Sequence, residues 1–193
     1  IGADSFTGCA ALAEIKIPDS VEEIATGAFK NTGLKSVNTG DGVAKIATDA
    51  FAGNKALTDL YIGKNVEKIG DNAFAGCTAL VAVNIPASLK YFNANAFDGC
   101  TALTKVSVDA ENKAFKAVGD VIYSADGKTL VMVANKNAKS IAIANGTEVI
   151  APNAFNLAKG VSSIAFPSTL VNVQGNALDV TAWYTSQDGV VYA

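Results

Sequence analysis

The chain has 193 residues, of which 50% are hydrophobic and 17% are charged, and its formal net charge is −3. It contains no histidine, and all 15 of its cationic side chains are lysines. These absences exclude the usual general base, the commonest metal ligand and guanidinium clamps for phosphate, and the negative net charge argues against a nucleic-acid surface.

Motifs for membrane insertion, cofactors and metals are absent from the sequence. No apolar run reaches the ~18 residues that a transmembrane helix needs, and no glycine-rich phosphate-binding motif occurs. The three cysteines, Cys9, Cys77 and Cys100, form no C-x-x-C pair, which predicts neither a disulfide framework nor a zinc site. We therefore expect no cofactor and no membrane insertion in this chain.

A phenylalanine, usually preceded by alanine, recurs at a nearly constant spacing. Successive copies lie 22 or 23 residues apart, except for one interval of 58 residues; they are Phe6, Phe29, Phe51, Phe74, Phe97 and Phe155. An internal repeat of this length is typical of solenoids. The long interval indicates that one repeat carries an insertion.

A second pattern of alternating apolar residues follows each phenylalanine. The clearest copies are Ile15 with Ile17, Leu60 with Ile62, Val83 with Ile85, Val106 with Val108 and Ile141 with Ile143. Alternation with β-branched residues predicts a short strand with two inward side chains. A 23-residue unit cannot bury its apolar face alone, so we expect stacked coils and a parallel sheet, with a short helical turn at residues 71–75 and at the equivalent positions.

Residues 109–140 interrupt the repeat and are predicted to form a β-hairpin insertion. Two apolar runs, residues 121–123 and 130–133, flank an Asp126-Gly127 turn, which is a strong hairpin signal. The hairpin could project from the solenoid and bind a partner, or it could cover an apolar flank of the coils. The sequence leaves both interpretations open.

The two ends of the sequence lie within repeat units. Residues 188–192 resemble residues 119–123, so residues 181–193 are interpreted as the start of a second, truncated insertion. We expect residues 1–193 to be a single solenoid domain from a longer chain, with apolar columns exposed on its terminal coils.

The repeat unit at residues 69–86, IGDNAFAGCTALVAVNIP, resembles the leucine-rich repeat of BspA-like bacterial surface proteins, also called the Treponema pallidum type. The leucine-rich core appears as Leu12, Ile15 and Ile17 and at the equivalent positions of later repeats. This resemblance implies a leucine-rich-repeat solenoid in a secreted or cell-surface bacterial protein. It also implies adhesion to an extracellular, host-matrix or cell-surface ligand, without catalysis.

The cysteines share one column of the repeat with Asn54. Cys77 and Cys100 would lie about 5 Å apart on adjacent coils, but parallel side chains give poor disulfide geometry. We expect buried thiols that act as small apolar residues. Asn54 at this position is expected to bond buried backbone at a turn.

The outward side chains of the predicted strands form the candidate ligand face. Such a face is an extended recognition surface in solenoids, and its candidate residues are Glu14, Lys16, Asn38, Asp59, Tyr61, Asn84, Lys105 and Ser107. Tyr61 is its one aromatic residue and a favoured interface anchor. The alternative function is a structural spacer that presents another domain and has no ligand of its own.

Overall fold

Short strands recur at two positions of each repeat. The structure, a computed structural model, describes residues 1–186. Its strands are β1 (Glu23–Ile24), β2 (Ser36–Asn38), β3 (Lys45–Ile46), β4 (Asp59–Tyr61), β5 (Lys68–Ile69), β6 (Ala82–Ile85), β7 (Lys105–Val108), β8 (Phe115–Val118), β9 (Val121–Ser124), β10 (Thr129–Val133), β11 (Ser140–Ala142), β12 (Val149–Ile150), β13 (Ser163–Ala165) and β14 (Asn172–Val173).

The alternating apolar segments form the first ladder of parallel strands. Strand β2 pairs with β4, β6 with β7 and β11 with β13, and each pair joins equivalent residues of consecutive repeats, such as Val37 with Leu60. The inward side chains Val83 and Ile85 are buried. The predicted solenoid of stacked coils with parallel strands is therefore confirmed.

A second ladder lies at a position where the sequence analysis predicted no strand. Strands β1, β3 and β5 pair in parallel, with Ile24, Ile46 and Ile69 in register. Strands β10, β12 and β14 continue the same arrangement further along the chain. Two-residue strands carry almost no periodicity of their own, so coil stacking rather than local pattern creates this ladder.

The phenylalanines stack through the core. The rings of Phe6, Phe29, Phe51, Phe74 and Phe97 have centroids 5.0–5.6 Å apart and are nearly parallel. Left-handed residues flank the first four of these rings in the chain, as Asn72 (φ 56°) and Gly76 (φ 72°) do beside Phe74, whereas Phe97 has one on its C-terminal side only, Gly99. This conformation suits Asn and Gly. The left-handed conformation produces turns at residues 71–75, where the sequence analysis expected a helical turn. At the equivalent position of the next coil, Ala94–Phe97 forms a short 3₁₀ helix.

The insertion is narrower than the expected range of 109–140. Asn112 donates hydrogen bonds to the carbonyl oxygens of Pro86 and Leu89, and the ring of Phe115 packs edge-on against Phe92. These contacts continue the columns of the coil that contains Phe97. Residues 129–148 form the next coil, in which Val133 takes the phenylalanine position and donates its amide to the Ala154 carbonyl. We call these two units the Phe97 coil and the Val133 coil.

The segment between these coils is a three-stranded antiparallel unit. Strand β9 pairs with β10 across the Asp126-Gly127 turn, as expected, and with β8 on its other edge. The side chains of Ile122, Tyr123 and Met132 are almost fully buried. The structure therefore favours the covering role over a projecting hairpin, because the apolar residues of the insertion complete the core.

The last described coil ends in a short helix. Helix α1 (Ala182–Thr185) begins after Thr181, whose side chain accepts a hydrogen bond from the Tyr184 amide. This helix lies where a second insertion was expected to start, and the strand-like residues 188–192 of that prediction lie outside the described residues. Phe166 and Val173 of this coil are 39% and 41% exposed. Within residues 1–186, no helix is long and apolar enough to cross a membrane.

Candidate binding face

The outward side chains of the first ladder form two rows across neighbouring coils. Each row takes one residue from each coil at the same position of the repeat. One row contains Glu14, Ser36, Asp59, Ala82 and Lys105, and the other contains Lys16, Asn38, Tyr61, Asn84 and Ser107. All eight candidate ligand residues therefore lie on one face. Seven of them are exposed and Ser107 is half-buried.

Direct backbone pairing brings the central members of the rows together. Asn38 lies between Lys16, which it meets in an isolated bridge, and Tyr61, its register partner. At the far end of the same row, the Ser107 hydroxyl donates to the Asn84 side-chain oxygen over 2.8 Å. Neighbouring positions are about 4.8 Å apart in a parallel ladder, so the rows form one continuous strip.

Tyr61 is the central feature of this strip. Its side chain is 50% exposed, and its hydroxyl lies 3.4 Å from a carboxylate oxygen of Asp41. The other carboxylate oxygen of Asp41 is 3.1 Å from the ammonium group of Lys64. A partly exposed ring with fixed charges beside its hydroxyl can pack against an apolar surface and accept or donate polar contacts at its edge.

The charges beside Tyr61 stabilise one another. The hydrogen bond from Lys64 holds the pKa of Asp41 below its usual value, and the same bond raises the pKa of Lys64. Both groups therefore stay charged at neutral pH. Because the pair is solvent-exposed, it contributes little to stability, and its main effect is to present a paired anion and cation next to the ring.

Two shallow depressions flank Tyr61. One is bordered by Ser36, Asn38, Asp59 and Ala82, and the other by Lys16, Asp19, Asn38 and Asp41. Both are open to solvent. Small molecules usually occupy enclosed, mostly apolar cavities, so the shape of these depressions favours contact with a macromolecular surface.

The structure adds residues to the predicted face. Lys64, Asp19 and Asp41 are not among the residues that the sequence analysis predicted for this face. All three lie at the corner that follows a first-ladder strand. The proline or glycine at this corner is the sequence signal that could have identified them: Pro18 precedes Asp19, and Gly40 precedes Asp41. Glu14 lies outside any strand, at one end of the strip.

Other candidate chemistry is accounted for by structure. Cys77 and Cys100 are free and buried, whereas Cys9 is exposed on the first coil, where a buried thiol was expected. Asn54 makes the expected bonds to buried backbone, donating to the Phe29 and Phe51 carbonyls. In the described residues 1–186, no group of three acidic or cysteine side chains could hold a metal ion.

The sequence matches one family of repeats. The profile of the BspA type leucine rich repeat region matches residues 1–118 and 132–185, in six copies. The unmatched interval, 119–131, falls inside the antiparallel insertion. No curated protein matches the chain at a significant level.

Solved structures of bacterial proteins share the fold. The pneumococcal vaccine antigen PcpA superposes with a TM-score of 0.72 at 25% identity, over 82% of this chain and 40% of that protein. A leucine rich cell surface protein from Faecalibacterium prausnitzii superposes with a TM-score of 0.70 at 28% identity, over 91% and 50%. The leucine rich repeat protein of Treponema pallidum, at 20% identity and a TM-score of 0.58, shares the fold. The chain thus spans half or less of the first two relatives.

Proposed function

Because the chain belongs to the BspA-type leucine-rich-repeat family, we propose that it is a non-catalytic protein-binding module of a secreted or cell-surface bacterial protein. Its ligand is an extracellular protein, presented by host matrix or by a cell surface. The candidate binding face around Tyr61 is the contact surface. One solved relative is described as a cell surface protein and another as a vaccine antigen, and both descriptions support this location.

The main support for the binding site is the arrangement at Tyr61. A half-exposed aromatic side chain lies between two open depressions and next to the Asp41–Lys64 ion pair. Interface hot spots are enriched in tyrosine and are surrounded by polar groups that exclude water. Across the two rows, two acidic and two basic side chains lie among uncharged ones, which suits a protein ligand better than a polyanion.

The experiment compares two exposed tyrosines. The chain is immobilised and probed with arrays of matrix proteins and glycans at micromolar concentration and physiological salt. Tyr61→Ala should weaken capture of the retained protein at least tenfold. Tyr91→Ala is the matched control, because Tyr91 is 66% exposed but lies beside the second ladder.

The outcomes of this experiment distinguish the protein-binding function from the spacer function. Capture that depends on Tyr61 and not on Tyr91 supports the proposed site. If no protein is retained, the adhesion proposal is wrong for this chain and the spacer function is favoured. If both variants bind as the parent chain does, binding occurs elsewhere and the candidate face is not the contact surface.

A further inference from the structure

Tyr61 lies between two asparagines in one row of the candidate binding face. Asn38 is its register partner in the preceding coil, and Asn84 occupies the equivalent position of the following coil. All three side chains are exposed. The phenylalanine rings of these coils stack at 5.2 and 5.4 Å, and this distance measures the advance from coil to coil. The exposed tyrosine ring is therefore flanked at regular intervals by two amide side chains.

Both asparagines use their side-chain oxygen within the chain. The Asn38 oxygen accepts a hydrogen bond from the Gly40 amide over 2.9 Å, and the Asn84 oxygen accepts one from the Ser107 hydroxyl over 2.8 Å. Within residues 1–186, neither side-chain NH2 group donates a hydrogen bond to the protein. Each NH2 group carries two donors, so these groups are left for a ligand on both sides of Tyr61.

Acceptors lie beside the same ring. Asp59 borders one of the two depressions that flank Tyr61. One of its carboxylate oxygens accepts the Thr58 hydroxyl, and no hydrogen bond from residues 1–186 reaches the other. Asp41 contacts the Tyr61 hydroxyl at 3.4 Å. A carboxylate offers about four acceptor sites, so both acids can accept further bonds, and the ring is bordered by unused donors and unused acceptors.

Apolar area is scarce on this face. Apart from Tyr61, the outward positions of the two rows hold no apolar side chain larger than that of Ala82. Protein interfaces gain much of their affinity from large side chains buried in an apolar centre, and one ring supplies little of such a centre. A sugar needs less, because its C–H groups pack on the face of an aromatic ring and its hydroxyl groups both donate and accept hydrogen bonds.

The spacing of the coils also favours a sugar chain over an extended peptide. An extended peptide advances about 6.7 Å for each pair of residues that face the same side, so it falls out of step with the coils within a few repeats. A sugar residue in a β-1,4-linked chain is about as long as the advance from one coil to the next. Alternate residues of such a chain present the same edge, which matches Asn38 and Asn84, two coils apart.

The charge of the face favours an uncharged ligand. Four acidic and three basic side chains border it, namely Glu14, Asp19, Asp41, Asp59, Lys16, Lys64 and Lys105. One acid and one base of this set, Asp41 and Lys64, are already paired with each other. A polyanionic sugar chain would meet carboxylates along the whole face, and like charges in contact oppose binding.

We propose that a neutral oligosaccharide chain of the protein ligand occupies the candidate binding face, with one sugar ring stacked on Tyr61. This inference rests on the proposed function, because it names the part of the extracellular protein that the face contacts. Asn38 and Asn84 donate to oxygens of the sugars on either side, and Asp59 accepts from a sugar hydroxyl. An unglycosylated polypeptide surface is the alternative occupant, and the tests below distinguish the two.

The first test follows the side-chain NH2 signals of an isotope-labelled chain by NMR. The probes are neutral β-1,4-linked tetrasaccharides of glucose, mannose and N-acetylglucosamine. At least one probe should shift the signals of Asn38 and Asn84 with a Kd of about 1 mM or tighter. The signals of Asn137 and Asn172, which are exposed outside the two rows, should stay in place. If no probe shifts the first pair, or if a probe shifts all four signals alike, the inference is wrong.

Isosteric variants of the chain locate the contact. Asn38→Asp combined with Asn84→Asp keeps the oxygens that accept bonds from the chain but removes both outward donors. This double variant should weaken binding of the tightest tetrasaccharide at least tenfold. The matched control, Asn137→Asp with Asn172→Asp, adds the same charge outside the face and should keep the Kd within twofold. Equal Kd values for the two double variants would contradict the assigned site.

Removal of glycans from the captured protein separates this inference from the proposed function. Protein retained on the immobilised chain is treated with glycosidases, or with the heat-inactivated enzymes as a control, and is then applied again. Treatment should lower capture at least tenfold. Unchanged capture that still depends on Tyr61 would overturn this inference and leave the protein-binding function standing. If no protein is retained at the start, the proposed function fails, and the tetrasaccharide titration still decides whether the face binds sugar.

Discussion

The thiol of Cys100 donates a hydrogen bond to the carbonyl oxygen of Phe74, 3.2 Å away in the preceding coil. Cys77 makes the same contact with Phe51 at 3.3 Å. The side-chain amide of Asn54 reaches the Phe29 carbonyl at 2.9 Å. The residues of this column therefore supply a donor to a buried carbonyl, in addition to filling space. This explains why a polar Asn and a Cys can occupy equivalent positions.

Thiol reactivity should distinguish the three cysteines. Cys9 is exposed, whereas Cys77 and Cys100 are fully buried, and burial raises the pKa of both buried thiols. A disulfide reagent at pH 8 should therefore modify one thiol of the native chain, and all three after unfolding. The variant Cys9→Ser should give no fast reaction. Rapid modification of Cys77 or Cys100 in the native chain would contradict the buried column.

The buried thiols should make the fold sensitive to alkali. The ordinary thiol pKa is 9.0, and burial raises that of Cys77 to about 12. Between these values the unfolded chain loses a proton that the folded chain keeps. The free energy of unfolding therefore falls as pH rises, by up to about 1.4 kcal/mol per pH unit for this thiol.

Urea unfolding between pH 9 and 11 tests this expectation. The slope of stability against pH should be flatter in Cys77→Ala than in the parent chain, whatever the variant's stability at pH 7. Cys9→Ala is the control and should keep the parental slope, because its thiol is exposed in both states. Identical slopes in all three proteins would show that Cys77 does not cause the alkaline loss.

Removing the Asn54 side chain should destabilise the fold strongly. Its amide donates to Phe29 and Phe51, and its oxygen accepts from the Thr32 amide and hydroxyl. Asn54→Ala leaves buried groups unpaired and should cost about 3 kcal/mol in urea unfolding. Asn54→Cys should cost less, because a thiol can still donate to Phe29. An equal cost for the two variants would argue against the donor role of this column.

The stacked phenylalanines should contribute unequally to stability. Phe74 is fully buried between Phe51 and Phe97, whereas Phe6 is half-buried and stacks on Phe29 alone among the described rings. Phe74→Ala should cost about 4 kcal/mol because it opens a cavity in the core. Phe6→Ala should cost about half as much. Thermal and urea unfolding measure both, and similar costs would contradict a stack that is anchored in its centre.

Close approach of coils should make Gly42 intolerant of substitution. A Cβ atom at Gly42 would lie 1.8 Å from the carbonyl oxygen of Asp19 in the preceding coil. Gly42→Ala must push two backbones apart and should cost about 3 kcal/mol. Gly8→Ala is the matched control, since its Cβ meets nothing within 4 Å and only its positive φ opposes alanine, at about 1 kcal/mol. The reverse order of costs would contradict the observed stacking.

Several features followed from the sequence, and others did not. The columns at Phe74, Val83 and Ile85 predicted the stack and the first ladder, because inward and outward positions alternate with a fixed local period. The second ladder was missed, since two residues cannot display a period. The bounds of the insertion were also missed, because Asn112 is polar and its place in a buried column depends on carbonyls of another coil.

The candidate binding face, too, could be predicted from the sequence only in part. Its eight residues could be found from outward positions of the predicted strands, since each row repeats with the coil. Lys64 could not, because its place beside Tyr61 results from a corner of the chain and from its contact with Asp41.

The sequence by itself determined that this chain stacks equivalent residues into columns, because a 23-residue unit must bury its apolar positions against identical neighbours. Only the tertiary structure decided which backbone groups of successive coils pair. Inter-coil hydrogen bonds join groups about 20 or more residues apart along the chain, so no single repeat specifies them. The second ladder and the place of Asn112 in a buried column are thus properties of the assembled solenoid.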